Sequence, residues 1–138
     1  MNLRLFLDAN ILFTAAYSPE GLSALLFELR RRGIPIGLLT SEHAGGEARV
    51  NLQLKQPDAL GRLERLLKLL EVVHTPAKSP IALSVPEDDL SIFGAALAAG
   101  ATHFITGDRK HFGRYFDQPA HTAGICIQTV RQFFDDRF

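Results

Sequence analysis

The sequence predicts an α/β protein, a three-layer α/β/α sandwich in which helices cover a mostly parallel sheet of about five strands. Short apolar runs alternate along the chain with segments whose apolar residues recur three and four positions apart, as in strands joined by helical crossovers. The chain has 138 residues, of which 46% are hydrophobic, and this suits one core while excluding a disordered protein. We therefore expect residues 1–138 to form a single domain.

Each predicted strand is a short apolar run that ends beside polar or turn-forming residues. These runs are residues 3–7, 36–39, 71–75, 103–106 and 125–127. The helices are predicted at residues 11–17 and 22–32, after Ser41, after Pro57, and at residues 88–99 and 129–135. Gly33 and Gly100 follow two of these helices directly, in the position where a left-handed residue ends a helix. The segment 76–86 holds three prolines and is expected to be a loop.

Composition narrows the class of protein. Fifteen basic residues balance fifteen acidic ones, which excludes a polycation that holds nucleic acid by bulk charge alone. The single cysteine, Cys126, allows no internal disulfide and no cluster of thiolate metal ligands. The apolar run before Asp8 is too short for a signal peptide, and no run approaches the roughly 18 residues of a membrane span. A cytoplasmic protein that does not associate with membranes is the expectation.

Two aspartates directly follow predicted strands. Asp8 comes after the first strand, and Asp108 comes after the fourth in the sequence Thr106-Gly107-Asp108. If these strands are parallel, both aspartates emerge at the same edge of the sheet, where α/β proteins bind their ligands. Either one alone could instead cap the following helix. Equivalent positions on two strands favour a shared pocket.

Asp89 begins the apolar face of its helix, because the residues three, four and seven positions further on are Ile92, Phe93 and Ala96. A carboxylate at the head of a buried face needs a partner, since an unpaired buried charge is costly. The alternative is that Asp89 accepts hydrogen bonds at the helix N-terminus. Asp88 lies on another face and is expected to cap the helix or to be solvated.

Glu47 holds a similar position on the helix after the second strand. Ala44, Val50 and Leu54 share its face, which predicts that its carboxylate turns towards the interior. Glu42 lies on a more polar face, although the choice between Glu42 and Glu47 stays open, and a surface ion pair is the alternative for Glu47. Acids gathered at one strand-end edge require cations, and carboxylate oxygens prefer Mg²⁺ or Mn²⁺ to zinc. The histidines have no zinc-ligand spacing.

Three segments resemble the PIN-domain family. Residues 5–12 (LFLDANIL) are similar to the opening of PIN domains. Residues 89–100, with Asp-Leu-Ser-Ile and then Ala-Ala-Leu-Ala-Ala-Gly, and residues 104–108 (FITGD) are similar to their second half. The resemblance spans nearly the whole chain, and the order of its acids is more specific than any single segment.

The resemblance implies a PIN-like fold and an endoribonuclease that cuts single-stranded RNA with Mg²⁺ or Mn²⁺. Many bacterial PIN proteins are toxins of type II toxin–antitoxin modules, so an antitoxin protein and a homodimer are the implied partners. Carried over residue by residue, the resemblance makes four acids both catalytic and metal-binding: Asp8, Glu47, Asp89 and Asp108. Asn10 and Thr106 would be polar supports around them. The metal would activate water and stabilise the leaving oxygen of the phosphodiester.

Basic residues near the same edge are candidates for binding RNA. These are Arg49, which follows Glu47, and Arg109, Lys110 and Arg114, which follow Asp108; a solvated helix surface is the alternative for each. His111 is a further base in that segment.

Two other functions fit parts of the pattern. A catalytically silent PIN-like module that binds RNA or protein would share the fold, and retention of the four acids argues against it. A phosphoacceptor receiver domain would carry an aspartate after the third strand, yet residues 71–75 are followed by none. A receiver also needs a lysine after the last strand, where Gln128 and Thr129 stand instead.

Overall fold

The strands pair into one sheet in the computed structural model, which describes residues 2–138. Within that range all five strands are parallel and lie in the spatial order β3-β2-β1-β4-β5. The strands are β1 (Leu3–Leu7), β2 (Ile36–Ser41), β3 (Glu71–Val73), β4 (His103–Ile105) and β5 (Cys126–Gln128). This arrangement confirms the predicted α/β/α sandwich.

Seven α-helices flank the sheet within residues 2–138. They are α1 (Ala9–Tyr17), α2 (Leu22–Arg31), α3 (Glu42–Lys55), α4 (Leu60–Leu67), α5 (Glu87–Ala98), α6 (Arg109–Phe112) and α7 (Val130–Arg137). Helix α1 packs against α2, α3 and α4, whereas α5 packs against β2. Periodicity did not predict α6, a single turn that is too short to show a periodic pattern, and only the alternative in which Asp108 caps a following helix allowed for it. No helix in the described range is long and apolar enough to cross a membrane.

The order of the strands creates a crevice beside β1. The chain adds β2 and then β3 on one side of β1, and afterwards adds β4 and β5 on the other side. Leu5 of β1 pairs with Leu38 of β2, and Leu7 of β1 pairs with Ile105 of β4. Parallel sheets bind ligands where the direction of strand addition reverses, outside the carboxyl ends of the strands. Here that place lies beyond Leu7 and Ile105.

Aromatic packing fixes the strands that meet at this crevice. Phe104 of β4 is fully buried, and its ring centroid lies 5.6 Å from that of Phe6 on β1. Phe93 of α5 and Phe112 of α6 approach the same ring, with centroid distances of 5.3 and 5.0 Å. One side chain therefore ties β1, β4, α5 and α6 together below the carboxyl ends of the strands.

Several helices begin as their polar residues predict. Ser41 caps α3 by accepting a hydrogen bond from the backbone N–H of Ala44. The Thr129 hydroxyl caps α7 by accepting from the backbone N–H of Gln132, whose side chain in turn accepts from the backbone N–H of Thr129. Helix α5 departs from the prediction, because its cap position is Pro86 and no side chain caps it. Asp88 is solvated instead, with 75% of its side chain exposed.

Candidate metal centre

The four predicted acids come together in one open cleft of about 360 Å³ at the carboxyl ends of β1 and β4. They arrive from four places in the chain. Asp8 follows β1, Glu47 lies on α3, Asp89 lies in the first turn of α5, and Asp108 precedes α6. Asn10 and His111 also line the cleft. Their roles in catalysis and metal binding stay predictions.

Asp8 is the most deeply buried of these acids, with only 4% of its surface exposed. One carboxylate oxygen accepts a 2.8 Å hydrogen bond from the backbone N–H of Ala9 and so caps α1. The other oxygen accepts bonds from the Thr106 hydroxyl at 2.8 Å and from the Asn10 amide at 3.1 Å. Asp8 therefore caps α1 and lines the cleft at the same time.

Burial raises the pKa of Asp8 to about 6, because a carboxylate loses hydration when it leaves water. The hydrogen bonds from Thr106 and Ala9 lower this pKa in part, since they stabilise the charged form. The negative charges of Asp89 and Glu47 raise it further. The pocket is thus built to hold negative charge at a free-energy cost that a bound cation would offset.

Thr106 joins the ends of β1 and β4. Its buried hydroxyl donates to Asp8 and accepts hydrogen bonds from the Asn10 side chain at 3.2 Å and from the backbone N–H of Asp108 at 3.1 Å. The side-chain oxygen of Asn10, Oδ1, in turn accepts a 2.7 Å hydrogen bond from the backbone N–H of Gly107. A Cβ at Gly107 would lie 3.3 Å from that carbonyl oxygen, so glycine permits the close approach. These contacts fit the predicted supporting roles of Asn10 and Thr106.

His111 lies between two of the acids, a placement that the sequence analysis missed. Its Nδ1 atom is 2.7 Å from one oxygen of Asp108 and 3.1 Å from one oxygen of Asp89. The other oxygen of Asp108 accepts a 3.0 Å bond from the backbone N–H of His111 and caps α6. The signal in the sequence was the spacing of three residues between Asp108 and His111, which becomes visible only once a helix is assumed.

Asp89 is half-buried, and burial raises its pKa. The neighbouring His111 lowers this pKa, while the charge of Asp108 raises it. The alternative in which Asp89 caps its own helix is wrong, because α5 has no side-chain cap. Its carboxylate turns into the cleft instead.

Glu47 lines the cleft from α3. Its pKa is raised by partial burial and by the charges of Asp89 and Asp88, while His43 opposes the rise. Glu42 is exposed and lines a separate groove with His43. Of the two glutamates, the structure brings Glu47 to the acids.

The helical face that predicted an inward-facing Glu47 is wrong in part, because it is not the buried face of α3. Val50 and Leu54, which share its helical face, are 60% and 77% exposed. The buried face of α3 instead runs through Ala44, Ala48 and Leu52. Glu47 therefore stands at the border between the core and the solvent, which suits a side chain that lines an open cleft.

The four basic residues predicted to bind RNA do not line the cleft itself. These residues are Arg49, Arg109, Lys110 and Arg114. Arg49 binds Glu64 of α4 through two hydrogen bonds, of 2.7 and 3.1 Å. The Arg109 guanidinium lies 5.7 Å from the centre of the Phe116 ring. Their role in RNA binding stays a prediction.

Lys55, which the sequence analysis did not select, lines the cleft at the C-terminal end of α3. Its ammonium lies 5.8 Å from the centre of the Phe13 ring, and Phe13 stacks on Tyr17 with centroids 5.7 Å apart. Asn51 lies on the same wall. The acids thus have a neighbouring wall that offers a cation and an aromatic surface.

Replacing Thr106 with valine tests the support of Asp8. Valine keeps the shape of the side chain but removes the hydroxyl that donates to Asp8, so we expect the pKa of Asp8 to rise. Mn²⁺ affinity should fall about 10- to 100-fold, the usual effect of losing a group that holds a metal ligand. Calorimetric titration measures it, with Thr14→Val at the exposed rim as the control. Equal Mn²⁺ affinities in the two variants would show that the Thr106 hydroxyl does not support metal binding.

Comparison with solved structures shows which fold this is. A chain from the structure of VapBC2 of Rickettsia felis, bound to a DNA fragment from its promoter, matches with a TM-score of 0.67 at 18% identity, over 92% of this chain and 98% of that one. The Mycobacterium tuberculosis toxin VapC20, which cleaves the sarcin–ricin loop, matches with a TM-score of 0.59 at 16% identity, over 80% of this chain and 94% of its own. No protein-family model and no curated protein matches the sequence.

Identities below 20% leave the fold as the shared property. The matches extend over nearly the full length of both solved chains. The parallel sheet has the strand order β3-β2-β1-β4-β5, which places a crevice beside β1. The chain therefore has the VapC-like PIN fold that its sequence predicts.

Proposed function

We propose that this protein is a divalent-metal-dependent endoribonuclease that hydrolyses phosphodiester bonds of single-stranded RNA, and that it is the toxin of a type II toxin–antitoxin module. The observation that carries the proposal is the convergence of Asp8, Glu47, Asp89 and Asp108 on one cleft where the strand order reverses. The fold shared with VapC20, a toxin that cleaves RNA, supports it.

The donor groups fit a hard divalent cation. Carboxylate oxygens are the ligands that Mg²⁺ and Mn²⁺ take in proteins, and the cleft presents them without any cysteine. Burial, and after it the negative charge of neighbouring acids, raises the pKa values of Asp8, Glu47 and Asp89, so a cation in the cleft would stabilise their charged forms. When bound, the ion supplies Lewis-acid stabilisation of the phosphate charge and lowers the pKa of a coordinated water.

The residues of the chain divide the remaining work. Asp8, held by Thr106 and Asn10, is the fixed anchor of the site. Glu47 is more exposed and has a raised pKa, so its carboxylate is placed to take the proton of the attacking water. The water oxygen bonds to phosphorus, the bond from phosphorus to the 3′ oxygen breaks, and the departing 3′ oxygen takes a proton from solvent. The products then carry a 5′-phosphate and a 3′-hydroxyl.

The wall beside the acids would hold the substrate. Lys55, whose ammonium lies over the Phe13 ring, would turn to a phosphate next to the one that is cut, and this would free the Phe13 face for a base to stack. Arg109, Lys110 and Arg114 are exposed and follow Asp108 in the sequence, so in this proposal they would extend the basic surface on that side. An unpaired base reaches an aromatic face more readily than a base inside a duplex, and this favours single-stranded RNA.

Removal of the metal tests the activity directly. The purified protein should cut a single-stranded RNA in Mn²⁺ or Mg²⁺, stop in a chelator, and resume when the ion is restored. Mapping of the product ends should find 5′-phosphates. Cleavage that persists in the chelator would overturn the proposal, and RNA binding without cleavage would identify a silent RNA-binding module instead.

The toxin role has its own test. Expression in a bacterium should arrest growth, and the Asp108→Asn variant should not. The partner we propose is an antitoxin encoded beside the gene, because the first structural match is a chain of a VapBC assembly. Co-expression of that neighbour should restore growth. The homodimer is tested by the mass of the purified protein in solution.

A further inference from the structure

His111 is the group in the cleft that the set of four acids does not explain. Its ring is about one-third exposed and belongs to α6, the turn that Asp108 begins. We propose that Nδ1 of His111 is a direct ligand of the divalent ion, and that this nitrogen makes the site prefer Mn²⁺ to Mg²⁺. The inference rests on the metal site of the proposed function and adds to it a ligand and a choice of ion.

The distances suit a shared ion. Two donor atoms at right angles around an octahedral ion, with bonds of about 2.1 Å, lie about 3 Å apart. Nδ1 of His111 lies 2.7 Å from the Asp108 oxygen and 3.1 Å from the Asp89 oxygen. One potential ligand atom from each of Asp89, Asp108 and His111 lies within 4.8 Å of the other two. Within residues 2–138, this is the set of His, Cys, Asp and Glu side chains whose spacing could hold a metal ion.

The backbone holds the ring in this place. Asp108 accepts a bond from the N–H of His111 with one oxygen and faces Nδ1 with the other. The same carboxylate thus begins α6 and turns the imidazole towards Asp89. A ring placed in this way needs little rearrangement to bind an ion, and this reduces the entropy lost on binding.

Imidazole nitrogen changes which ion the site prefers. Mg²⁺ binds through oxygen and keeps its waters, whereas Mn²⁺, a transition-metal ion that also binds oxygen, accepts an imidazole nitrogen more readily than Mg²⁺ does. A ligating Nδ1 carries no proton, so the ring then holds its single proton on Nε2. Replacing one oxygen donor by this nitrogen therefore favours Mn²⁺ more than it favours Mg²⁺.

A different role would have the opposite consequence. If His111 only donated a hydrogen bond to Asp89 and Asp108, it would compete with the ion for those oxygens. Its removal would then strengthen the binding of both ions alike. The sign of the change therefore separates a ligand from a competitor.

The test is calorimetric titration of Mn²⁺ and of Mg²⁺ into the wild-type protein and the His111→Asn variant. We expect the ratio of Mn²⁺ to Mg²⁺ affinity to fall about tenfold or more in the variant, mainly through weaker Mn²⁺ binding. The matched control is His43→Asn, because His43 also faces an aspartate, Asp88, at 3.5 Å but stands outside the acid cleft. That variant should keep the wild-type ratio.

A second measurement does not depend on affinity. Pulsed electron paramagnetic resonance of the Mn²⁺-bound protein should show coupling to an imidazole nitrogen, and His111→Ala should abolish it. An unchanged affinity ratio in His111→Asn, or nitrogen coupling that survives in His111→Ala, would overturn the proposal. Both variants replace a partly exposed side chain, and circular dichroism verifies that they fold.

The failure of this inference differs from the failure of the proposed function. RNA cleavage in Mn²⁺ together with an unchanged affinity ratio would reject only the role of His111. A changed ratio in a protein that cuts no RNA would support the ligand and reject the nuclease. A wild-type protein that binds neither ion would overturn both.

Discussion

Asp8→Asn is expected to abolish RNA cleavage and, at the same time, to stabilise the metal-free protein near neutral pH. Asp8 is 4% exposed, and its pKa is raised from 3.8 to about 6. A rise of this size means that keeping the group ionised in the folded protein costs about 3 kcal/mol. Asparagine keeps an oxygen for the N–H of Ala9 but carries no charge.

The two effects have separate causes and separate measurements. Loss of the buried ligand should lower cleavage in Mn²⁺ at least about a hundredfold. Urea unfolding at pH 7.5 in a chelator should show a gain of about 1–2 kcal/mol, less than the full cost of the charge, because the amide cannot accept every bond that Asp8 accepts. The matched control is Asp88→Asn, which removes an exposed acid beside Asp89 and should change neither quantity appreciably. Full activity in Asp8→Asn would contradict the proposed site.

The metal-free protein is expected to lose stability as the pH rises from about 4 to about 6, and a divalent ion should restore it. In this range folded Asp8 binds more protons than unfolded Asp8, because its folded pKa is the higher one. The free energy of unfolding therefore falls with increasing pH, by about 3 kcal/mol from this residue across the window. The raised pKa values of Glu47 and Asp89 act in the same direction.

We expect the ion to reverse the loss, because in the proposed function it binds the ionised acids of the folded state. At a concentration 100 times its dissociation constant it should add about 2.7 kcal/mol, or roughly 10 °C of melting temperature for a chain of this size. Thermal unfolding at pH 5 and pH 7.5, with Mn²⁺ and with a chelator, measures both effects. We expect the stabilisation by Mn²⁺ to be larger at pH 7.5, since protons compete for the same oxygens at pH 5. A stabilisation that is independent of pH would contradict this account.

Regular elements with a clear period were predicted closely. The first strand occupies residues 3–7 as expected, and the helix predicted at residues 22–32 occupies Leu22–Arg31. Their signals are local, namely an apolar run that ends at a polar residue and leucines spaced along one face. The placement of Asp8 and Asp108 at one edge followed from strand polarity, which the sheet confirms.

The parts of the site that were missed depend on contacts between distant segments. The role of Arg49 in RNA binding stays a prediction, but its bonds to Glu64 on another helix could not be foreseen, because no spacing rule connects positions fifteen residues apart. His111 was missed because its partner Asp89 belongs to a different helix. Lys55 reaches the cleft only because α3 packs along α1. Local pattern identifies which residues can do chemistry, whereas tertiary packing decides which of them meet.

The pairing of β4 with β1 has a consequence for when the protein becomes active. Thr106 contacts Asp8, which lies 98 positions earlier in the sequence, so the cleft forms only when the second half of the chain has closed a long loop onto the first strand. Such distant pairings are slow and come late in folding. A chain still emerging from the ribosome thus carries Asp8 without its partners. For a protein proposed to cut RNA, this order means that the four acids of the cleft meet only after synthesis has passed Asp108.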